Sequence, residues 1–319
     1  MALSGWDRPT SPYHAGEREL HARLGRADRQ DVIGRKVLRP FMPDQHRAFY
    51  ETLPFLIAGS VDDAGWPWAS VLFGAPGFIS TPDGRTLRIE SLPSGADPLG
   101  LALKPGTPVG LLGIEPPTRR RNRVNGVIDT AGDQAFSVRV VQSFGNCPQY
   151  IHARAPRPTT ISAPTEPEPF DRLGDEAREI IQAADTFFVA SANLGDDSQD
   201  VGGVDVSHRG GKPGFVRVDG DVLTIPDFSG NFFFNTLGNF LVNPKAGLLF
   251  IDYANGDLWQ MTGTVEIIWE PTPEVAAFEG AERAWKFRLD HGRCFKGLTP
   301  FTWSEGDASP RSLATGGWG

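Results

Sequence analysis

The chain has 319 residues, long enough for two domains of about 150 residues each. Its net charge of −8 argues against nonspecific nucleic-acid binding, and two distant cysteines, Cys147 and Cys294, exclude a disulfide framework or a cysteine zinc site. No apolar run approaches the roughly 20 residues of a membrane span, and the N-terminus lacks the apolar segment of a signal peptide. We therefore expect a cytoplasmic protein that binds neither membranes nor metals.

The first 40 residues read as an N-terminal extension. They contain a short helix over 17–24 and a strand over 32–38. A helix is expected to start at Met42-Pro43-Asp44, because proline is favoured in the first helical turn. The composition includes 37 Gly and 27 Pro, which indicates many turns and short strands thereafter.

Short strands separated by turn residues follow in the first half. The spacing predicts an antiparallel barrel or sandwich. The predicted strands are 55–61, 67–73, 86–90, 109–114 and 119–129.

The second half begins after a stretch rich in Pro, Thr, Ala and Glu at 153–172, which we interpret as a surface linker. A helix follows from Asp175, and a polar loop is expected at 196–200. A short helix should begin near Asn235 and end before Pro244, since a residue before proline avoids the helical region. The predicted strands are 186–192, 204–208, 215–218, 222–225, 247–251 and 258–262.

The two halves show the same order of parts. Gly110-Leu111-Leu112 and Gly247-Leu248-Leu249 occupy matching places, each after a Leu-Gly pair and a proline. This repeat predicts a duplicated barrel unit that packs as a pseudo-dimer with a ligand site between its halves. The predicted regions are an extension (1–40), a first barrel (41–152), a Pro-rich linker (153–174) and a second barrel (175–319).

One candidate site is the loop over 229–239, preceded by Arg217 on a neighbouring strand. Amides, hydroxyls and a guanidinium are donors that a phosphate requires. Asn235 and Thr236 alternatively serve only as a helix cap, and the sequence leaves the two interpretations about even. The loop candidates are Ser229, Asn231, Asn235 and Thr236.

A second candidate is the basic strand Arg119-Arg120-Arg121-Asn122-Arg123. Alternation places Arg119, Arg121 and Arg123 on one face, where they repel one another unless an anion or carboxylates lie between them. We favour an anion-facing role over a solvated edge strand guarded by charge.

Gln260 is a third candidate, because it is placed like Arg123 relative to a glycine late in its strand. It could hydrogen-bond a heterocycle edge, although an ordinary polar strand residue is the simpler interpretation. Cys147, Asp205 and His208 carry weaker signals, and we expect structural roles for them.

Six stretches that together span nearly the whole chain carry a family resemblance: Ser11-Pro12-Tyr13-His14-Ala15-Gly16-Glu17-Arg18, Met42-Pro43-Asp44-Gln45-His46-Arg47-Ala48-Phe49, Thr118-Arg119-Arg120-Arg121-Asn122-Arg123-Val124-Asn125-Gly126, Gly145-Asn146-Cys147-Pro148-Gln149-Tyr150-Ile151, residues 208–218 and residues 226–263. The chain resembles the pyridoxamine 5'-phosphate oxidase-like FMN-binding split-barrel family in its tandem form. The resemblance implies a mainly β (α+β) fold of two tandem antiparallel split β-barrels with short flanking helices. It also implies six strands in each barrel and FMN at the barrel–barrel interface.

The chain departs from the family at the phosphate clamp. Asn235 and Thr236 stand where the single-barrel oxidases carry Arg and Lys, so the first-half arginines are expected to supply the charge. The family's Gln falls at Arg121 and Leu258, which makes Gln260 an offset match. The arginine–histidine signature of the oxidases is missing, so oxidation of pyridoxine phosphate is not expected.

The resulting hypothesis is an FMN-dependent oxidoreductase acting on a small-molecule substrate, with no catalytic residue assigned. A non-catalytic flavin- or haem-binding module is one alternative, and a cofactor-free interaction domain is another. A homodimer is also left open.

Overall fold

The structure is a computed structural model that describes residues 5–160, 166–195, 201–270 and 272–318. Its helices are α1 (Ala15–Arg23), α2 (Ala27–Val37), α3 (Asp44–Glu51), α4 (Pro98–Ala102), α5 (Asp175–Ala183), α6 (Asn235–Val242), α7 (Pro273–Ala277) and α8 (Pro310–Leu313), with a 3-10 turn at Pro116–Thr118. The first-half strands are β1 (Phe55–Val61), β2 (Pro67–Phe73), β3 (Ile79–Asp83), β4 (Thr86–Ile89), β5 (Pro108–Glu115), β6 (Arg120–Ala131) and β7 (Phe136–Gly145). The later strands are β8 (Pro156–Pro158), β9 (Glu168–Phe170), β10 (Thr186–Asn193), β11 (Gly203–Gly210), β12 (Arg217–Asp219), β13 (Val222–Phe228), β14 (Lys245–Ile251), β15 (Leu258–Ile268), β16 (Ala281–Phe295) and β17 (Phe301–Trp303).

Two antiparallel sheets share one strand order. The first runs β2-β1-β5-β6-β7-β4-β3 and the second runs β11-β10-β14-β15-β16-β13-β12, with β9 added to β16. The helices α4 and α6 occupy equivalent places, since each precedes the third strand of its sheet in this order. Seven strands form each main path, rather than the six expected, and neither path closes on itself through the described strands.

The strand registers make Arg123 and Gln260 equivalent positions. The pairing of β1 with β5 ends at Leu112, and the pairing of β10 with β14 ends at Leu249, each after three residue pairs. Leu112 pairs in turn with Arg123 on β6, and Leu249 pairs with Gln260 on β15. The sequence repeat thus has a counterpart in the topology.

The backbones of the two sheets come into contact at the repeated glycines. A Cβ atom on Gly110 would lie 2.5 Å from the carbonyl oxygen of Val204, and one on Gly247 would lie 2.3 Å from that of Pro67. Real Cβ atoms do not come this close to backbone, so glycine is required at both positions. A buried apolar cluster from both halves lies around this contact, and it includes Ile57, Leu112, Phe188 and Leu249.

The N-terminal residues pack against the second half. A Cβ on Gly16 of α1 would lie 2.1 Å from the carbonyl oxygen of Gly238 in α6, so the two helices cross at backbone contact. The prediction of a strand over 32–38 was wrong, because α2 covers most of that segment. Ile33 and Val37 are four residues apart, which is a helical spacing. Both pack against the cluster that contains Tyr13 and Phe233.

The segment interpreted as a linker contains two short strands, β8 and β9, which pair with β17 and β16. Residues 161–165 of this segment and the predicted loop at 196–200 lie outside the described residues. The domain boundaries stay a prediction. Across the described part of the chain, no helix is long and apolar enough to cross a bilayer.

Candidate functional site

A cavity of about 130 Å³ lies between the two halves. The strand β6 and the segment after β7 line it from the first half, and β11, the loop after β13 and the start of α6 line it from the second. The charged and polar residues that line it include Arg121, Arg123, Ser207, His208, Arg209, Asn235 and Thr236.

The N-terminus of α6 enters this cavity without a side-chain cap. Its N-cap residue is Phe234, which has a left-handed backbone (φ 59°) and offers no capping hydrogen bond. The Gly238 amide donates to the Phe234 carbonyl at 2.6 Å, which leaves the amides of Asn235, Thr236 and Leu237 without an intrahelical acceptor. All three residues are buried. A buried, uncapped helix start favours an anion, through both free N–H groups and the helix dipole.

The equivalent helix α4 carries its own anion. Its N-cap is Asp97, whose Oδ1 accepts from the Leu99 amide at 2.9 Å. Oδ2 of Asp97 accepts from Gln260 at 2.8 Å. The duplicated unit thus has one helix start neutralised by a built-in carboxylate and one left open.

Arg123 lies at the centre of the site. Its Nη1 donates to Asp205 Oδ1 at 3.0 Å and to Asn235 Oδ1 at 2.9 Å, and Nη2 donates to Ser207 Oγ. Its side chain is 4% exposed. Nε has no hydrogen-bond partner among the described residues, so one donor of a buried guanidinium stays unpaired. Burial lowers the pKa of Arg123, and the charge of Asp205 opposes that shift.

Arg121 lines the same cavity two residues earlier. It donates from Nε to the Cys147 carbonyl at 2.9 Å and from Nη1 to His208 Nδ1 at 3.2 Å. No carboxylate of the described residues forms an ion pair with it, unlike Arg123 and Arg209. Burial and the charge of Arg123 lower the pKa of Arg121 to about 10. An anion in the cavity would relieve both effects.

Arg209 lines the cavity from β11 of the second sheet, and its charge is neutralised. Its Nη1 donates to Asp227 Oδ1 at 2.8 Å, while Arg283 donates to Asp227 Oδ2 at 3.3 Å. Arg283 also pairs with Glu282 at 2.8 Å. This cluster is close to charge balance, so the uncompensated positive charge of the cavity belongs to Arg121.

Aromatic rings also contribute to the lining. Tyr150 stacks on Phe228 with ring centroids 5.2 Å apart and donates to the Ser229 carbonyl at 3.1 Å. Phe232 and Phe234 both have positive φ angles near 60°, which non-glycine residues rarely adopt. The loop over 229–234 is therefore held in an unusual shape beside the helix start.

Six of the predicted site residues line this one cavity. They come from strand β6, the loop after β13 and the start of α6, and Arg123 and Asn235 are separated by 112 positions. Their role in cofactor binding stays a prediction. These six are Arg121, Arg123, Ser229, Asn231, Asn235 and Thr236.

Three predicted site residues lie elsewhere. Arg119 precedes β6 in a left-handed conformation (φ 53°), so it leaves the alternation and instead binds the Ile151 carbonyl and Asp307. Arg217 pairs with Glu274 at 2.7 Å near Trp318. Gln260 is fully buried and donates to the carbonyl of residue 69 and to the side chains of residues 70 and 97.

Residues not predicted for this site also contribute to it. Asp205 accepts from Arg123, Asn125 and Asn239, and Ser207 joins Arg123 to Thr236. Their alternation on β11 was visible in the sequence, but the face that meets Arg123 was not. Glu17 was assigned to an extension, yet it hydrogen-bonds Asn235.

No family model matches the chain, and no curated protein matches it. Among solved structures, HupZ of Group A Streptococcus is 16% identical, with a TM-score of 0.30, over 41% of this chain and 98% of that chain. An FAD-binding protein from Mesorhizobium loti is 11% identical, with a TM-score of 0.28, over 41% and 99% of the two chains. HutZ from Vibrio cholerae, described as a heme storage protein, is 14% identical, with a TM-score of 0.28, over 40% and 97%. TM-scores this low establish neither a shared fold nor a shared ligand.

Proposed function

We propose that this chain is a tandem split-barrel protein that binds FMN between its halves and acts as an oxidoreductase on a small molecule. The observation that carries the proposal is the open, buried start of α6 beside the uncompensated charge of Arg121 and the unpaired Nε of Arg123. The equivalent helix start is closed by Asp97, so we propose one flavin site per chain.

The residues present suit the phosphate end of FMN. Helix amides, the Ser207 and Thr236 hydroxyls and two guanidiniums are the donors that a phosphate takes. Asn235 and Thr236 stand where the oxidases carry Arg and Lys, and the arginines of the first half supply the missing positive charge. The enclosed volume of about 130 Å³ is below the 300–1,000 Å³ of sites that bury a whole ligand, so the cavity encloses part of the flavin.

When bound, FMN supplies a ring that accepts and returns electrons. The chain's own residues bind and orient it. The α6 amides and Arg123 hold the phosphate, and the stacked rings of Tyr150 and Phe228 offer an apolar surface at the same cavity. Arg121 supports an anionic part of the flavin or of the substrate.

Haem binding is the second candidate, because His208 is buried in the cavity wall with Nε2 unpaired among the described residues. Burial and the charge of Arg121 lower the pKa of His208, so its imidazole is neutral. Arg121 donates to Nδ1, however, which places the ring proton on Nε2. A protonated Nε2 does not ligate iron, and this tautomer favours flavin over haem.

The test begins with the absorption spectrum of the freshly purified protein. Flavin absorption bands, or quenching of FMN fluorescence on titration, are expected, with FMN bound at least tenfold more tightly than riboflavin because of the phosphate contacts (~1.5–3 kcal/mol). A Soret band without flavin would establish the haem alternative. A colourless protein that binds neither cofactor would overturn both proposals and leave the interaction domain.

A further inference from the structure

We propose that Glu17 on α1 is a positioning residue of the anion site, holding Asn235 so that its carbonyl oxygen faces Arg123. This inference rests on the proposed function, since it gives the N-terminal helix a part in binding the flavin phosphate. The sequence analysis placed Glu17 in an N-terminal extension outside the two barrels, with no part in the site.

The geometry fixes both ends of the contact. Glu17 is 2% exposed, and its Oε1 accepts from Asn235 Nδ2 at 2.6 Å. Its Oε2 accepts from the His14 amide at 2.9 Å, in a capping box at the start of α1. The carboxyl group is therefore held by its own helix on one side and presented to α6 on the other.

The hydrogen bond selects one orientation of the Asn235 amide. With Nδ2 donating to Glu17, Oδ1 accepts from Arg123 Nη1 at 2.9 Å. The flipped amide would turn an N–H₂ group toward the guanidinium and a carbonyl oxygen toward the carboxyl group, losing both bonds. Glu17 thereby holds Arg123 and the first residue of α6 in one arrangement.

The helices cannot easily shift to weaken this contact. Gly16 and Gly238 bring α1 and α6 to backbone contact one residue away from Glu17 and three from Asn235. A Cβ on Gly238 would lie 2.7 Å from Cγ of Glu17 itself. The carboxyl group is packed in place as well as hydrogen-bonded.

The charge of Glu17 also bears on the site. The groups facing it are His14 on its own helix, Asp205 on β11, Arg123 on β6 and Asn235 on α6. Burial and the charge of Asp205 raise the pKa of Glu17 well above its ordinary value. Burial therefore disfavours a second negative charge beside Asp205.

The test compares Glu17→Ala and Glu17→Gln with the wild type by FMN titration at pH 7.5, where the FMN phosphate is ionised. Glu17→Ala is expected to weaken binding about tenfold by freeing Asn235. Glu17→Gln keeps the shape and one acceptor, so its affinity should stay within about threefold at pH 7.5. The matched control is Glu19→Ala, on the exposed side of α1.

Wild-type affinity in Glu17→Ala, or an equal loss of affinity in Glu19→Ala, would overturn the inference. A wild type that binds no FMN would instead refute the proposed function. Glu17 is then tested without ligand, by the side-chain amide NMR signals of Asn235. In the wild type these signals should be shifted from the values of an exposed asparagine. Return to those values in Glu17→Ala but not in Glu19→Ala supports the positioning role, and unchanged signals in Glu17→Ala refute it.

Discussion

The sharpest test of the site is Arg123→Gln, because the protein already contains glutamine at the equivalent position. Gln260 is fully buried there and donates to the Ala69 carbonyl at 3.0 Å, to Ser70 Oγ at 3.1 Å and to Asp97 at 2.8 Å. A glutamine at 123 therefore suits this place in the strand order, and the substitution removes the charge without emptying the site.

The cost to stability follows from the partners of Arg123. Removing one member of a buried ion pair costs about 3–5 kcal/mol when the other is left alone. Asp205 keeps two amide donors, Asn125 at 2.7 Å and Asn239 at 3.1 Å, and so is not left alone. We expect a loss of about 2–3 kcal/mol in the free energy of unfolding, measured by urea denaturation.

The substitution should also weaken FMN binding. A charge-assisted hydrogen bond contributes about 1.5–3 kcal/mol, so FMN affinity should fall roughly 10- to 150-fold while riboflavin affinity changes little. Fluorescence titration of both flavins measures this difference. Arg217→Gln is the matched control, because its ion pair with Glu274 is exposed and should contribute under about 1 kcal/mol. Equal FMN affinity in Arg123→Gln and the wild type would refute the placement of the phosphate.

The remaining predictions concern stoichiometry, thiol access and packing. Calorimetric titration should give one FMN per chain; two equal sites would contradict the closure of the α4 side by Asp97. An alkylating reagent at pH 8 should label Cys147, which lines the cavity, and spare Cys294, which is buried with its pKa raised to about 12. FMN should slow that labelling, and an unchanged rate would place the flavin elsewhere. Gly210→Ala should destabilise the fold by about 1–3 kcal/mol, because its Cβ would lie 2.0 Å from the Tyr150 carbonyl; an unchanged melting temperature would contradict this contact.

Local patterns in the sequence determined much of the secondary structure. The strands Phe55–Val61 and Pro67–Phe73 have the predicted bounds, because the turn between them is encoded by adjacent residues. The start of α6 at Asn235 also follows from nearby residues. One exception is α2, where a strand was expected and the chain instead forms a helix that packs against the Tyr13 ring.

The sequence also predicted some of the residues of the candidate site. Arginines two apart on a strand share a face, so the alternation of side chains is enough to place Arg121 and Arg123 together. Arg119 failed the same rule because the strand begins after it, and strand ends are the least certain part of a sequence prediction.

Only the tertiary structure decided which half supplies which group. The partner of a polar strand residue depends on how the two sheets pack together. The residues close to Gln260 or Arg123 in sequence do not determine that packing. The fold buries one against Asp97 and brings the other to Asn235, 112 positions away. The same docking leaves the start of α6 open and brings Glu17 to it, so three parts of the chain meet at the candidate site.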